Sequence, residues 1–258
     1  HPTGTAYVDI WSGGRDRITV VQKLTSGAAE FATMKLGKKG RATTTAARFA
    51  SHGRDLGIGW TDGKYEIYAH NGKRMFLRKV PGSVYIVDIG PSATRALAVG
   101  AGDTRTVRLW TRKKGTDLPS LVHPAGVRDA RFGHDDDTVL TVDTEGTVRL
   151  WAVADVRGSP VATVLDDEGT DAKAVSAELR AGFVVAAYDD HTARWWSVDA
   201  PDKPAVLRHA APVTSAHLSP DGSQVATAAG DRVYLWDTSI RPMNDKADVH
   251  ELLTQLWV

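Results

Sequence analysis

Cysteine is absent from all 258 residues, which excludes disulfides and thiolate metal sites. Long apolar runs are absent as well. None approaches the ~18 residues of a membrane-spanning helix, so no membrane partner is expected. No signal-peptide pattern is present, and the lack of cysteine is compatible with the cytoplasm, which is the expected location. The chain starts with His1 rather than methionine, which reads as a cut or processed end. The marks of catalysis are also missing. No serine sits in a G-x-S-x-G elbow. Gly37-Lys38-Lys39-Gly40 lacks the glycine spacing and following hydroxyl of a phosphate loop. No His-x-x-x-His pair with a glutamate could hold zinc. No cofactor and no metal are therefore expected.

What is present suits a globular chain: 42% hydrophobic and 24% charged residues. The net charge is +1, but it is unevenly spread. Residues 1–120 hold 20 Lys/Arg against 9 Asp/Glu, and residues 121–258 hold 12 against 22. Such a split either reflects ordinary solvated surfaces or steers partners of opposite sign.

Four segments repeat one pattern, an apolar strand ending in tryptophan. They close on Trp110, Trp151, Trp196 and Trp236, at intervals of 41, 45 and 40 residues. A period in that range marks an array of supersecondary units, each unable to bury its apolar face alone. The last unit is the clearest. Val213 to Leu218 alternates, Ser219-Pro220-Asp221-Gly222 turns, Gln224 to Ala229 returns, and Gly230-Asp231 turns into the strand closing on Trp236. Inner strands align at Phe49, Ile89, Phe132, Leu179 and Leu218, and two earlier closing strands fall at Val21 and Tyr68.

This pattern resembles the WD40 (WD-repeat) family, most specifically in the last unit, over about residues 1–240. The resemblance implies an all-β fold: a β-propeller of four-stranded antiparallel blades, six repeats visible, six- or seven-bladed. His1-Pro2-Thr3-Gly4 aligns with the turn after an inner strand, so the first blade is incomplete at its N-terminus. A missing upstream segment would give six of seven blades, whereas pairing of the tail would close a ring of six. The tail, 241–258, carries Val249, Leu252, Leu253, Leu256 and Trp257 at helical spacing and is expected to form a short helix.

In that family a histidine before the inner strand bonds an aspartate in the tight turn, which connects through a hydroxyl to the tryptophan. The resemblance places His209, Asp231 and Trp236 in these roles, with Ala229 where the hydroxyl should be. His123 and Glu145 form a second, altered pair leading to Trp151, and Asp190 is the turn aspartate before Trp196. Trp110 closes a unit with Pro81 in the histidine position, and other units offer Lys38 and Asp166 there. The blades are therefore expected to rely on packing more than on the polar pin.

The clusters that could carry chemistry read as surface. His134-Asp135-Asp136-Asp137 falls at a turn and is expected to be solvated, with a cation site as the sharper alternative. Asp166-Asp167-Glu168 with Asp171 is an acidic loop. The basic runs at Lys38-Lys39-Gly40-Arg41, Lys73-Arg74 with Arg78-Lys79, and Arg112-Lys113-Lys114 have poor aromatic interleaving, only Phe76 lying close, so nucleic acid is not the expected partner.

The function expected is a non-catalytic scaffold or sensor module that binds a protein or peptide. The high Ala, Arg, Asp and Gly content reads as a bacterial chain, in which the array would serve an upstream NTPase or kinase domain of the same polypeptide. The resemblance implies that partners meet the face bearing the loops into the inner strands and the tight turns. Positions matching that face are Lys38, Arg41, Ser83, Tyr85, Arg128, Asp190, Thr214 and Arg232, with Tyr85 and Arg128 foremost. The alternatives are a propeller hydrolase or lyase with a central-channel site, and a nucleic-acid clamp on the basic first three blades.

Overall fold

The computed structural model describes residues 6–10, 18–25, 28–34, 42–51, 53–69, 71–113, 116–153, 160–165 and 171–238; of residues 6–34 only the strand paths are described. Lys38, Arg41 and the tail at 241–258 lie outside the described residues. By contacts the chain divides into two compact units, residues 1–141 with 151–161 and residues 142–150 with 162–258.

The described residues contain strands and turns and no helix. The first sheet has three strands, β1 (Ala6–Ile10), β2 (Ile18–Thr25) and β3 (Ala28–Met34). The second runs through β4 (Thr44–Phe49), β5 (Asp55–Trp60), β6 (Lys64–Ala69) and β7 (Arg74–Lys79). The third contains β8 (Val84–Ile89), β9 (Arg95–Gly100), β10 (Asp103–Thr111) and β11 (Asp117–Val122). The fourth contains β12 (Val127–Phe132), β13 (Thr138–Asp143), β14 (Val148–Ala152) and β15 (Val161–Leu165). The fifth contains β16 (Ala174–Arg180), β17 (Phe183–Tyr188), β18 (Thr192–Ser197) and β19 (Ala200–Arg208). The sixth has three strands, β20 (Val213–Leu218), β21 (Gln224–Ala229) and β22 (Arg232–Asp237).

The fold class is thus the expected one, all-β in successive antiparallel blades. Register explains the tryptophan period. In four sheets the closing aromatic stands opposite an apolar residue of the second strand: Tyr68 opposite Leu56, Trp110 opposite Ala96, Trp196 opposite Val184 and Trp236 opposite Val225. Tyr68 therefore takes the tryptophan's place in its blade. Trp196 is wholly buried. Trp110 packs with Tyr65 and Phe76 of the preceding sheet, with ring centroids 6.2 Å away from each. The turn Ser219 to Gly222 forms as expected: Gly222 has φ 75 and its amide donates to Ser219 O at 2.9 Å.

A second repeated feature was not anticipated. The inner strand of four sheets carries a register shift at its second residue, so that Thr45, Tyr85, Val175 and Thr214 are each passed over in pairing with the second strand. An extra residue of this kind is a bulge, and it re-aims the side chain it carries.

Neighbouring blades are joined by acids. The Asp88 carboxylate accepts the Phe132 amide at 2.8 Å and meets Arg48 Nε at 3.3 Å, so it ties β8 to both β12 and β4. Glu178 ties β16 to β20 in the other unit, accepting the Leu218 amide at 3.1 Å and facing His217 Nδ1 at 3.1 Å. Both acids sit one residue before the aligned inner-strand apolar residue, Ile89 or Leu179. Asp136 is the tightest latch. It accepts the amides of Ser92 at 2.9 Å and Thr94 at 3.0 Å and takes both hydroxyls as well. Gly90 is required there, because a Cβ would lie 2.2 Å from an Asp136 oxygen. The solvated-turn reading of His134 to Asp137 therefore needs correcting at this residue: Asp136 is buried, since four donors of the neighbouring blade converge on it.

Burial works against the charge of Asp136, but the donors of Ser92 and Thr94 outweigh it and hold the carboxyl below the ordinary range. A depressed carboxyl stabilises the fold above the unfolded value of 3.8, and that stability is lost as pH falls through the lower folded value. Asp136→Ala should cost about 2 kcal/mol in urea unfolding at pH 7. The difference from the parent chain should shrink below about pH 4; a difference unchanged down to pH 2 would refute the latch.

Candidate interaction site

Two concavities stand out among the described residues. The first, of about 620 Å³, is open to solvent and lies along the inner strands β4, β8 and β12 of the first unit. Thr45 to Phe49, Tyr85 to Val87, Arg128 and Asp129 line it. Its wall carries two of the bulge residues, Thr45 and Tyr85, and Arg128 at the aligned position of β12. The bulges thus turn successive side chains toward one space. The Tyr85 hydroxyl donates to Val127 O at 2.9 Å, which fixes the ring and bridges β8 to β12. Burial, and then the nearby Asp103 charge, raise its phenol above the ordinary value, so the hydroxyl keeps its proton at neutral pH. Thr45 Oγ1 donates to Val84 O and bridges β4 to β8 in the same way.

The charged groups at this cavity are mutually arranged. Asp129 lies 2.7 Å from Arg131 Nε. Asp88 is buried behind Arg48, and desolvation raises its carboxyl despite the opposing pull of Arg48 and the Phe132 amide. Arg128 is exposed. Each carboxylate is therefore fixed by a cation or an amide. Among the described residues no group of three or more His, Cys, Asp or Glu gathers to hold a metal ion.

The second concavity, of about 450 Å³, is apolar and lies beside β22 in the second unit. Trp195, Leu207, Val225, Leu235 and Trp236 line it. Val233 and Leu235 of β22 are 72% and 70% exposed.

Of the residues expected on the partner face, the structure gathers Tyr85 and Arg128 at the first cavity. Ser83 stands two residues earlier and accepts the Ala101 amide through its carbonyl. In the second unit Thr214 is the exposed bulge residue of β20, and the Arg232 side chain is 74% exposed. Asp190 turns inward to its own blade, accepting the Thr192 amide at 3.0 Å and Arg194 at 2.9 Å. That is the turn-aspartate role. Sequence reasoning missed Thr45 and Arg48, although both occupy inner-strand positions already aligned with residues it had picked or passed. The basic runs are partly spent within the fold: Arg74 pairs with buried Glu66 at 2.8 Å, Arg112 with Asp55 at 2.7 Å, and Arg78 lies over Phe76.

The polar pin exists in two blades, with different members from those expected. His209 Nε2 meets Thr227 Oγ1 at 2.7 Å, and the same oxygen accepts Trp236 Nε1 at 2.9 Å. His123 Nε2 meets Thr141 Oγ1 at 2.8 Å, which accepts Trp151 Nε1 at 2.8 Å. The hydroxyl assigned to position 229 is thus supplied by Thr227. Residues 227 and 229 share a face of β21, and the pairing of Trp236 with Val225 brings the indole to the nearer one. Asp231 is corrected too: its side chain is 96% exposed and points away from His209's network, toward Arg232 at 3.9 Å. Glu145 is likewise exposed; the acid that organises its turn is Asp143, which accepts the amides of Glu145 and Thr147 at 3.0 Å and pairs with Arg149. Trp196 has no such pin, and its buried Nε1 finds no acceptor.

Burial lowers the His209 pKa, with backbone contacts at Leu207 and His191 opposing. A depressed histidine favours the fold while neutral, so stability should fall as pH drops through the unfolded value of 6.5. His209→Gln should flatten that slope in melts between pH 7 and 5. Thr227→Val should cost about 1–2 kcal/mol at pH 7 by orphaning the indole and imidazole. Wild-type stability in Thr227→Val would show the pin to be idle.

Similarity to known proteins follows this geometry. A family model described as "WD domain, G-beta repeat" matches residues 115–152 and 203–237, which contain the two pinned tryptophans. Eukaryotic translation initiation factor 3 subunit I of Schizosaccharomyces pombe is 34% identical over 92 residues, 33% of this chain and 27% of that protein. The same subunit of Botryotinia fuckeliana is 26% identical over 178 residues, 64% of this chain and 52% of that protein. A coronin-like protein of Saccharomyces cerevisiae is 35% identical over 63 residues, 24% of this chain and 10% of that protein. The chain thus spans about half or less of the curated relatives it matches. These relatives are fungal and lend no support to the bacterial origin expected from composition. Among solved structures, the β-propeller domain of Cps50 (Swd1) from Myceliophteria thermophila superposes with a TM-score of 0.60 at 15% identity, covering 79% of this chain and 69% of that one. Residues 115–152 and 203–237 are thus similar to WD repeats, and the chain has the fold of a β-propeller.

Proposed function

We propose that this propeller is a non-catalytic docking module whose partner is a protein or peptide seated in the cavity along β4, β8 and β12. One observation carries the reading: the repeated inner-strand bulge aims Thr45 and Tyr85 into the space that Arg128 also lines. A rigid strand presenting an aromatic ring and a guanidinium loses little entropy when a partner arrives. The matched family and the relatives support the coarse reading, since one relative is by name a subunit of a larger factor. An upstream NTPase or kinase finds no support in those relatives, so the reading stops at docking.

Display selection of random peptides on the immobilised chain tests it. Binders should emerge whose affinity drops about tenfold or more in Tyr85→Ala with Arg128→Ala, the loss expected of hot-spot residues. Full affinity in the double variant, or turnover of a small molecule by the purified chain, would remove the proposal.

A further inference from the structure

The cavity has a charge preference as well as a shape. We propose that the segment it docks is acidic and extended, held by carboxylate–guanidinium pairs to Arg128 and Arg48. This rests on the docking reading above and names its partner's chemistry.

The first observation is the balance of charge. Arg48 and Arg128 line the cavity, whereas Asp129 is its single acidic lining residue. Asp129 already faces Arg131 at 2.7 Å. Asp88, behind the wall, is saturated by the Phe132 amide and Arg48. Two arginines thus line the cavity against one aspartate. The formal charge of the lining is therefore positive. Arg48 keeps 35% of its side chain exposed while paired through Nε. A planar guanidinium offers two parallel donors to one carboxylate.

The second observation is size and lining. A volume of about 620 Å³ admits a few side chains of an extended segment, not a folded domain. Between the arginines the surface is mainly polar, with Ala46, Ala47, Phe49, Ile86 and Val87 behind it. The occupant is therefore held by its polar groups. A nucleic acid would also bring negative charge, but it needs a continuous basic track and stacking faces. Here Arg74 and Arg112 are held by Glu66 and Asp55, which interrupts such a track. A short acidic peptide needs no such track.

The selected binders supply the test. Their sequences should be enriched in Asp and Glu over the input library. A labelled peptide from that pool, measured by fluorescence anisotropy, should weaken steeply between 50 and 300 mM NaCl. Arg128→Gln should weaken it about tenfold and Arg128→Glu abolish binding, while Arg208→Gln, an exposed arginine outside the cavity, should leave it unchanged. Replacing the peptide's Asp and Glu by Asn and Gln should weaken it as much as Arg128→Gln does. Binders that depend on Tyr85 but are neutral or basic would overturn the acidic class and leave docking intact. A 12-nucleotide single-stranded RNA that binds more tightly than the peptide, and competes with it, would overturn the class in favour of nucleic acid. Failure to recover any binder sensitive to Tyr85→Ala would sink docking itself.

Discussion

Every inner strand of this array is the edge of its own sheet, and an edge strand leaves backbone N–H groups without a partner. That constraint organises much of what the structure shows. The amide of Phe132 cannot be satisfied within the fourth sheet's own ladder, and it is taken by Asp88 from the third; the amide of Leu218 is taken by Glu178. One carboxylate thereby solves a hydrogen-bonding problem and fixes the spacing of adjacent blades. At Asp88 the cost is a buried charge, which Arg48 offsets.

The same strands carry the bulges. A bulge gives up one ladder position, and in return it turns a side chain away from the blade interior. In β4 and β8 the turned residues, Thr45 and Tyr85, spend their hydroxyls on carbonyls of the next inner strand. Spacing and presentation are therefore coupled. The acids hold the inner strands at a fixed separation, the hydroxyls brace them, and the cavity wall is what remains exposed between. A site built in this way is set by backbone geometry, so its lining can vary while its position does not.

The second unit uses a different balance. Its last blade is pinned by His209, Thr227 and Trp236, while the fifth relies on Trp196 buried without an acceptor and on Arg194 stacked over Tyr188 at 4.1 Å. Packing substitutes for the pin in one blade and accompanies it in the next. Thr141 and Thr227 show why the pin looked defective in the sequence. The residue directly before the last tight turn is Ala229, but the indole reaches the threonine that lies diagonally across from it, two residues farther from the turn.

The sequence alone determined the class of fold, the blade boundaries and the alignment of inner and closing strands, because these follow from short-range periodicity and turn chemistry. It also singled out Tyr85 and Arg128, which the structure places at one cavity. Tertiary structure decided the rest. Whether Asp136 is solvated or is a latch depends on what the neighbouring blade brings to it, and Ser92 and Thr94 are more than 40 residues away. Whether Asp231 or Thr227 completes a pin depends on strand register. The bulges at Thr45 and Tyr85 leave no mark in composition, because one extra residue shifts a ladder without changing the pattern of apolar positions that announces it.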